Sequence, residues 1–139
     1  MRALLDTDML SEVLKSKDQH VLGRANAYVT QHGRITMSTI TIMEIVKGLS
    51  RKGREDAISR FLTVVKGSEV VTLDQVSSEL AGRIYADLER AGRVIGVADV
   101  LIAAIALHLG LMLVTGNAAD YQHIIAAGYP LRIESWRAA

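Results

Sequence analysis

Residues 92–121 read GRVIGVADVLIAAIALHLGLMLVTGNAADY. From about Ala98 to Leu109 the stretch is apolar nearly all round, which predicts a helix buried on most sides, against a sheet and either another helix or a second subunit. Gly110 closes that helix. Residues 111–115 then form a short apolar run ending in Thr115, a buried strand. Asn117 caps a further short helix, with Ile124 and Ile125 inward and Gly128 at its end. Helix, turn, buried strand and helix in this order are the repeating unit of an α/β fold with a parallel sheet covered on both faces. The apolar stretch from Val100 to Val114 is too short for a membrane span.

Working outward, residues 2–5 predict a first strand, followed by a helix from about Met9 with Thr7 or Asp8 as its N-cap. A second helix is expected over 19–31 and a strand over 34–38. Thr39 or Thr41 then caps a helix with the stripe Ile42, Ile45, Val46 and Leu49. Further helices are expected over 54–66 and from Asp74 to about Ala91, the latter with Val76, Leu80, Ile84 and Leu88 inward. A strand at 69–73 separates them, and an edge strand near 131–134 ends the sheet. The 139 residues suffice for one domain with a proper core, and half of them are hydrophobic. The expectation is a single domain over 1–139.

Composition excludes several chemistries. The chain has no cysteine, so disulfides, thiolate nucleophiles and Cys-type metal centres are out; a reducing compartment is allowed by this, not required, and the expected location is cytoplasmic. MRALLDTD reaches acids too early to hold the apolar region of an export signal. The formal net charge of +1 gives nucleic-acid binding no global help, so a local basic patch would have to supply it. His20, His32, His108 and His123 lack metal spacing, and there is neither a Gly-rich phosphate loop nor a nucleophile elbow.

Four acids share one kind of position: Asp6, Glu44, Asp99 and Asp120 each follow a short apolar strand or sit in the first turns of a helix. In an open α/β sheet the carboxyl ends of the strands share one edge, where ligands bind. Carboxylates gathered there repel one another unless a cation lies among them, and hard divalent cations such as Mg²⁺ or Mn²⁺ take oxygen ligands. Each acid also has a plain structural reading. Asp99 suits a helix dipole, though its apolar surroundings make it costly to bury unpaired. Glu44, opposite the apolar stripe, suits a solvated pair with Lys47. Asp120 at the third position after Asn117 suits a capping box. Asp6 is left without a structural task if Thr7 or Asp8 caps the first helix. The cluster Lys47, Arg51, Lys52 and Arg54 either complements a helix C-terminus or forms a rim for a polyanion.

The pieces LLDTDMLSE, STITIMEIVKGL, GRVIGVADVLIAAIAL and LVTGNAADY, in this order, resemble the PIN-domain family, in particular the VapC-type toxin ribonucleases. The resemblance spans the chain from the first strand to Trp136. It implies a PIN-like three-layer α/β/α fold around a mainly parallel sheet of about five strands. It further implies a Mg²⁺- or Mn²⁺-dependent endoribonuclease acting on tRNA or another structured RNA, a homodimer, and inhibition by a VapB-type antitoxin. On the matched motifs Asp6, Glu44 and Asp99 are the first three acids, with Asp6 and Asp99 as metal ligands. The fourth region is Thr115–Asp120, where Asn117 and Asp120 both remain candidates and Thr115 also matches. Lys47, Arg51 and Lys52 would touch RNA. Two departures stand out: Asp8 where asparagine is usual, and Val97–Ala98 where proline is frequent.

Three other readings compete. A silent PIN scaffold would bind RNA or a partner without turnover. A haloacid-dehalogenase-type phosphatase would use the triplet Asp6-Thr7-Asp8, but Met9-Leu10 stands where Gly-Thr is needed. A receiver-like module needs a lysine that Thr115-Gly116-Asn117 does not offer. If Lys47, Arg51 and Lys52 do hold RNA, replacing all three by alanine lowers the slope of log K against log salt by about two, because each lost phosphate contact releases one counterion fewer. Titration of RNA binding between low and moderate salt measures it, and an unchanged slope assigns the cluster elsewhere.

Overall fold

The computed structural model describes residues 2–138. Its strands are β1 (Ala3–Leu5), β2 (Thr36–Ser38), β3 (Glu69–Val71), β4 (Met112–Val114) and β5 (Ile133–Glu134). Its helices are α1 (Thr7–Lys15), α2 (Gln19–His32), α3 (Thr39–Arg51), α4 (Glu55–Lys66), α5 (Gln75–Arg90), α6 (Val97–Leu109) and α7 (Ala118–Ala126). Every strand pair is parallel. β4 lies between β1 and β5, β2 pairs with β3, and β1 runs alongside β2. The spatial order is therefore β3-β2-β1-β4-β5, five strands as expected, though hydrogen-bonded as a group of three and a group of two.

Alternation along the strands divides the core. Leu4, Val71 and Leu113 face one cluster, filled by α5, α6 and α7 through Ile84, Leu88, Ile102, Ile105, Tyr121 and Ile124. Ala3, Leu5, Met37, Val70 and Val114 face the other, filled by α1, α2 and α4 through Met9, Leu10, Val21, Tyr28 and Phe61. This is the three-layer α/β/α arrangement. The apolar helix α6 buries Val100 and every residue from Ile102 to Ala106. It ends on Gly110, whose φ of 68° is comfortable only without a Cβ. Among the described residues no helix is long and apolar enough to cross a membrane.

Several local expectations need correction. Asp6 itself, not Thr7 or Asp8, caps α1, because its carboxylate reaches the Met9 N–H at 2.9 Å. Ser38 at the end of β2, not Thr39 or Thr41, caps α3 through the Thr41 N–H. Both helices thus begin within one residue of a strand, and the strand's last residue or its successor has the extended backbone a cap requires. Val76 does not face inward: it is 55% exposed, and Ser77 is the residue that the first turn of α5 buries. Each strand also falls one or two residues short of its apolar run at one end or both, because hydrogen-bonded pairing stops before the side-chain pattern does.

Leu113→Ala, in the middle of the three paired strands and fully buried, should lower unfolding free energy by about 3 kcal/mol. Val76→Ala should change it by less than about 0.5 kcal/mol. Urea denaturation of both variants tests the burial assignment, and equal losses would contradict it.

Candidate active site

The β1–β4 register builds the site. Leu5 pairs with Val114, and the ladder continues as the Asp6 N–H donates to the Val114 carbonyl at 3.0 Å. Asp6 and Thr115, one residue past each strand end, are therefore neighbours, and the Thr115 hydroxyl donates to Asp6 Oδ2. The same hydroxyl oxygen accepts the Asn117 N–H at 2.8 Å, folding the loop back. Thr115 and Asp6 are 1% and 2% exposed.

The remaining acids arrive on helices that start at this edge. α6 ends just before β4 begins, so its first turn, with Asp99, lies at the opposite, carboxyl edge of the sheet. The Tyr121 hydroxyl, from α7, donates to Asp99 Oδ1 at 3.2 Å. Glu44 is half-buried on α3 and accepts the Thr7 hydroxyl at 2.5 Å. Thr7 has only one hydroxyl proton, so in their 3.1 Å contact Thr41 is the donor and Thr7 the acceptor. The Asn117 amide donates to Asp120 at 2.9 Å. Asn117 stands at the N-cap position of α7 but makes no side-chain cap, and Asp120 takes the amide rather than completing a capping box. The solvated pair of Glu44 with Lys47 is also absent among the described residues.

Electrostatics mark the cluster. Burial pushes the Asp6 carboxyl up to about 6, aided by Asp8 and Asp99, against the lowering by Thr115 and the Met9 N–H. Asp99 is raised by burial and by the charges of Glu44, Asp8 and Asp120, while the Tyr121 hydroxyl lowers it. Burial, Asp6 and Asp99 raise Tyr121 in turn, so it stays a protonated donor. Among the described residues the ion pairs use eight other acid–base combinations, and none involves Asp6, Asp8, Glu44, Asp99 or Asp120. Five carboxylates thus lie at one edge without a basic side chain to pair with. Positive potential reaches them from helix N-termini and, for Asp6 and Asp8, from the Arg137 guanidinium.

Such a donor set, all oxygen and mutually repelling, fits a hard divalent cation better than any protein partner present. Among the described residues no three of these side chains converge closely enough, as they stand, to enclose an ion. The triplet that suggested a phosphatase is otherwise engaged: Asp6 caps α1 and Thr7 holds Glu44. Of the expected RNA contacts, Lys47 is exposed one turn beyond Glu44, whereas Arg51 and Lys52 lie roughly 10–12 Å from Glu44 along the helix axis. Tyr121 and Arg137 were not singled out from sequence. A tyrosine inside an apolar helix face looks like core, and only the fold brings its hydroxyl to Asp99.

A family model described as PIN domain matches residues 3–124. The chain belongs to the PIN-domain family. It is 32% identical to the tRNA(fMet)-specific endonuclease VapC of Salmonella typhimurium, an alignment covering 98% of each chain. The crystal structure of DNA-bound VapBC from the same species superposes with a TM-score of 0.76 at 32% identity, covering 98% of both chains. VapBC-1 from nontypeable Haemophilus influenzae gives 0.79 at 27% identity, again over 98% of both. The PIN resemblance read from four sequence pieces is thereby borne out, and with it the α/β/α fold.

Because the folded pKa of Asp6 lies above its ordinary value of 3.8, its protonated form stabilises the fold below about pH 3.8, and this contribution is lost as pH rises through about 6. In chelator at pH 7.5, Asp6→Asn should therefore be more stable than the parent by on the order of 2–3 kcal/mol. The advantage should vanish by about pH 4. Thermal melting across this range measures it, and a pH-independent difference would contradict the assignment.

Proposed function

We propose that this PIN domain is a divalent-metal-dependent endoribonuclease toxin, using Mg²⁺ or Mn²⁺ to hydrolyse phosphodiester bonds in tRNA or another structured RNA. The observation that carries the reading is the set of five unpaired carboxylates at the carboxyl edge, in a chain whose full-length relatives are named as VapC ribonucleases. A VapB-type antitoxin as partner is supported by neighbours that are VapBC complexes. A homodimer is supported by the apolar strip of Tyr85, Val97 and Leu101 left open between α5 and α6.

Asp6 and Asp99 would hold the cation, and Asn117 or Asp120 would complete its surroundings. When bound, a divalent ion in such a site offsets the charge of the scissile phosphate and lowers the pKa of a coordinated water. The chain's own part is orientation. Thr115 and the Met9 N–H occupy one lone pair on each Asp6 oxygen and fix its plane. Tyr121 fixes Asp99 through Oδ1, and among the described residues Oδ2 has no side-chain donor. Thr7 takes Glu44 Oε1, leaving Oε2 to orient the attacking water and accept its proton. Loops and unpaired bases, more than sequence in a duplex, would select the RNA.

Asp99→Asn tests this. Asparagine keeps the shape and can still accept from Tyr121, so the variant should melt like the parent or slightly higher in chelator, since carboxylate repulsion falls. Its cleavage of structured RNA in excess Mg²⁺ should drop at least a hundredfold. Full activity in a folded variant would return Asp99 to a helix-start acid. A parent that binds RNA without ever cleaving it would favour the silent scaffold.

A further inference from the structure

Among the described residues one arginine is tied to the acidic edge. Trp136, 3% exposed and tilted against Tyr28 with ring centroids 5.7 Å apart, anchors the C-terminal segment in the core. The next residue, Arg137, turns back over the loop after β4. Its Nε donates to Glu12 of α1 at 2.8 and 3.0 Å, and Nη1 donates to the Gly116 carbonyl at 2.9 Å. Among the described residues Nη2 donates to nothing, and the side chain is 41% exposed. Gly116 lies between Thr115 and Asn117. A Cβ there would sit 2.5–2.6 Å from the guanidinium carbon and both terminal nitrogens. The guanidinium therefore lies flat on the loop that carries Thr115 and Asn117, and only glycine leaves it that room. The fields of Asp6 and Asp8 also reach it.

We propose that Arg137 is a substrate-binding residue of this site, its outer guanidinium edge gripping a phosphate oxygen of the RNA strand beside the scissile position. Glu12 and Gly116 orient the planar group through Nε and Nη1, so less freedom is lost when Nη2 meets an anionic oxygen. An acidic pocket repels RNA, and a cation held in place at its rim counters that repulsion locally, as the net charge of +1 cannot. The proposal rests on the ribonuclease reading and adds to it the residue that holds the nucleotide strand.

The test uses the full chain and a structured RNA in Mg²⁺, with cleavage kinetics, binding titrated against salt, and thermal melting measured side by side. Arg137→Ala should raise KM about tenfold with kcat within about twofold, and lower the binding slope against log salt by about one. Arg137→Lys should recover the slope but only part of KM, since an ammonium lacks the fork. Gly116→Ala keeps the charge and displaces the guanidinium, so its KM should rise with that of Arg137→Ala. Unchanged KM and slope in Arg137→Ala overturn the proposal, as does a fall in kcat and melting temperature at constant KM, which marks a structural clasp alone. If the parent binds RNA without cleaving it, the ribonuclease reading fails while the salt slopes still decide whether Arg137 grips the strand. If the parent neither binds nor cleaves RNA, both fail.

Discussion

The parallel pairing of β1 with β4 is the constraint on which the site depends. Three residue pairs, Ala3 with Met112 through Leu5 with Val114, fix a register that places Asp6 against Thr115 across 109 residues of sequence. A slip of one residue would turn Leu4 and Leu113 from one hydrophobic cluster to the other and leave both half-empty, so burial on two faces locks the register. Burial of the core and placement of the acid are one event. Asp6 also caps α1, so the residue proposed to hold the cation sets where the first helix begins.

Such economy has an electrostatic cost that the fold leaves standing. A carboxylate held 2% exposed, with others nearby and no basic partner, disfavours its own charged form. Natural cores rarely tolerate that arrangement without a compensating function. Neutral donors, Thr115, Thr7 and Tyr121, do the orienting instead of lysine or arginine. Their hydroxyls fix the carboxylates without neutralising them, so the negative potential stays available for a cation. Arg137 is placed differently: its positive charge sits at the mouth, tied to Glu12, and makes no ion pair with the inner acids.

Much of this was legible in the chain. The apolar character of 100–114, interrupted at His108 and Gly110, reported a helix and strand buried on both sides, as a covered parallel sheet requires. Asp99 stood out against it, and Asp6 followed an apolar run too short to be anything but a strand. These are local signals, carried by composition over a few residues. The caps were misassigned for a related reason: Asp6, Thr7 and Asp8 are all good N-caps, and which of them adopts the extended backbone depends on where β1 stops pairing with β4.

The sequence by itself thus determined the layers, the strand count, the acids and the family, since periodicity and motif order are properties of the chain. Tertiary structure alone decided which neutral hydroxyl meets which acid, that Asn117 bonds Asp120 rather than capping α7, and that Val76 faces water. It also decided that Arg137, at the far end of the chain, lies on Gly116. For the Thr115–Asp6 and Tyr121–Asp99 pairs and for Arg137 the physical reason is range. Hydrogen bonds between residues 22 to 109 positions apart need the register of strands and the packing of helices to bring them within 3 Å or so, and no local pattern encodes that distance.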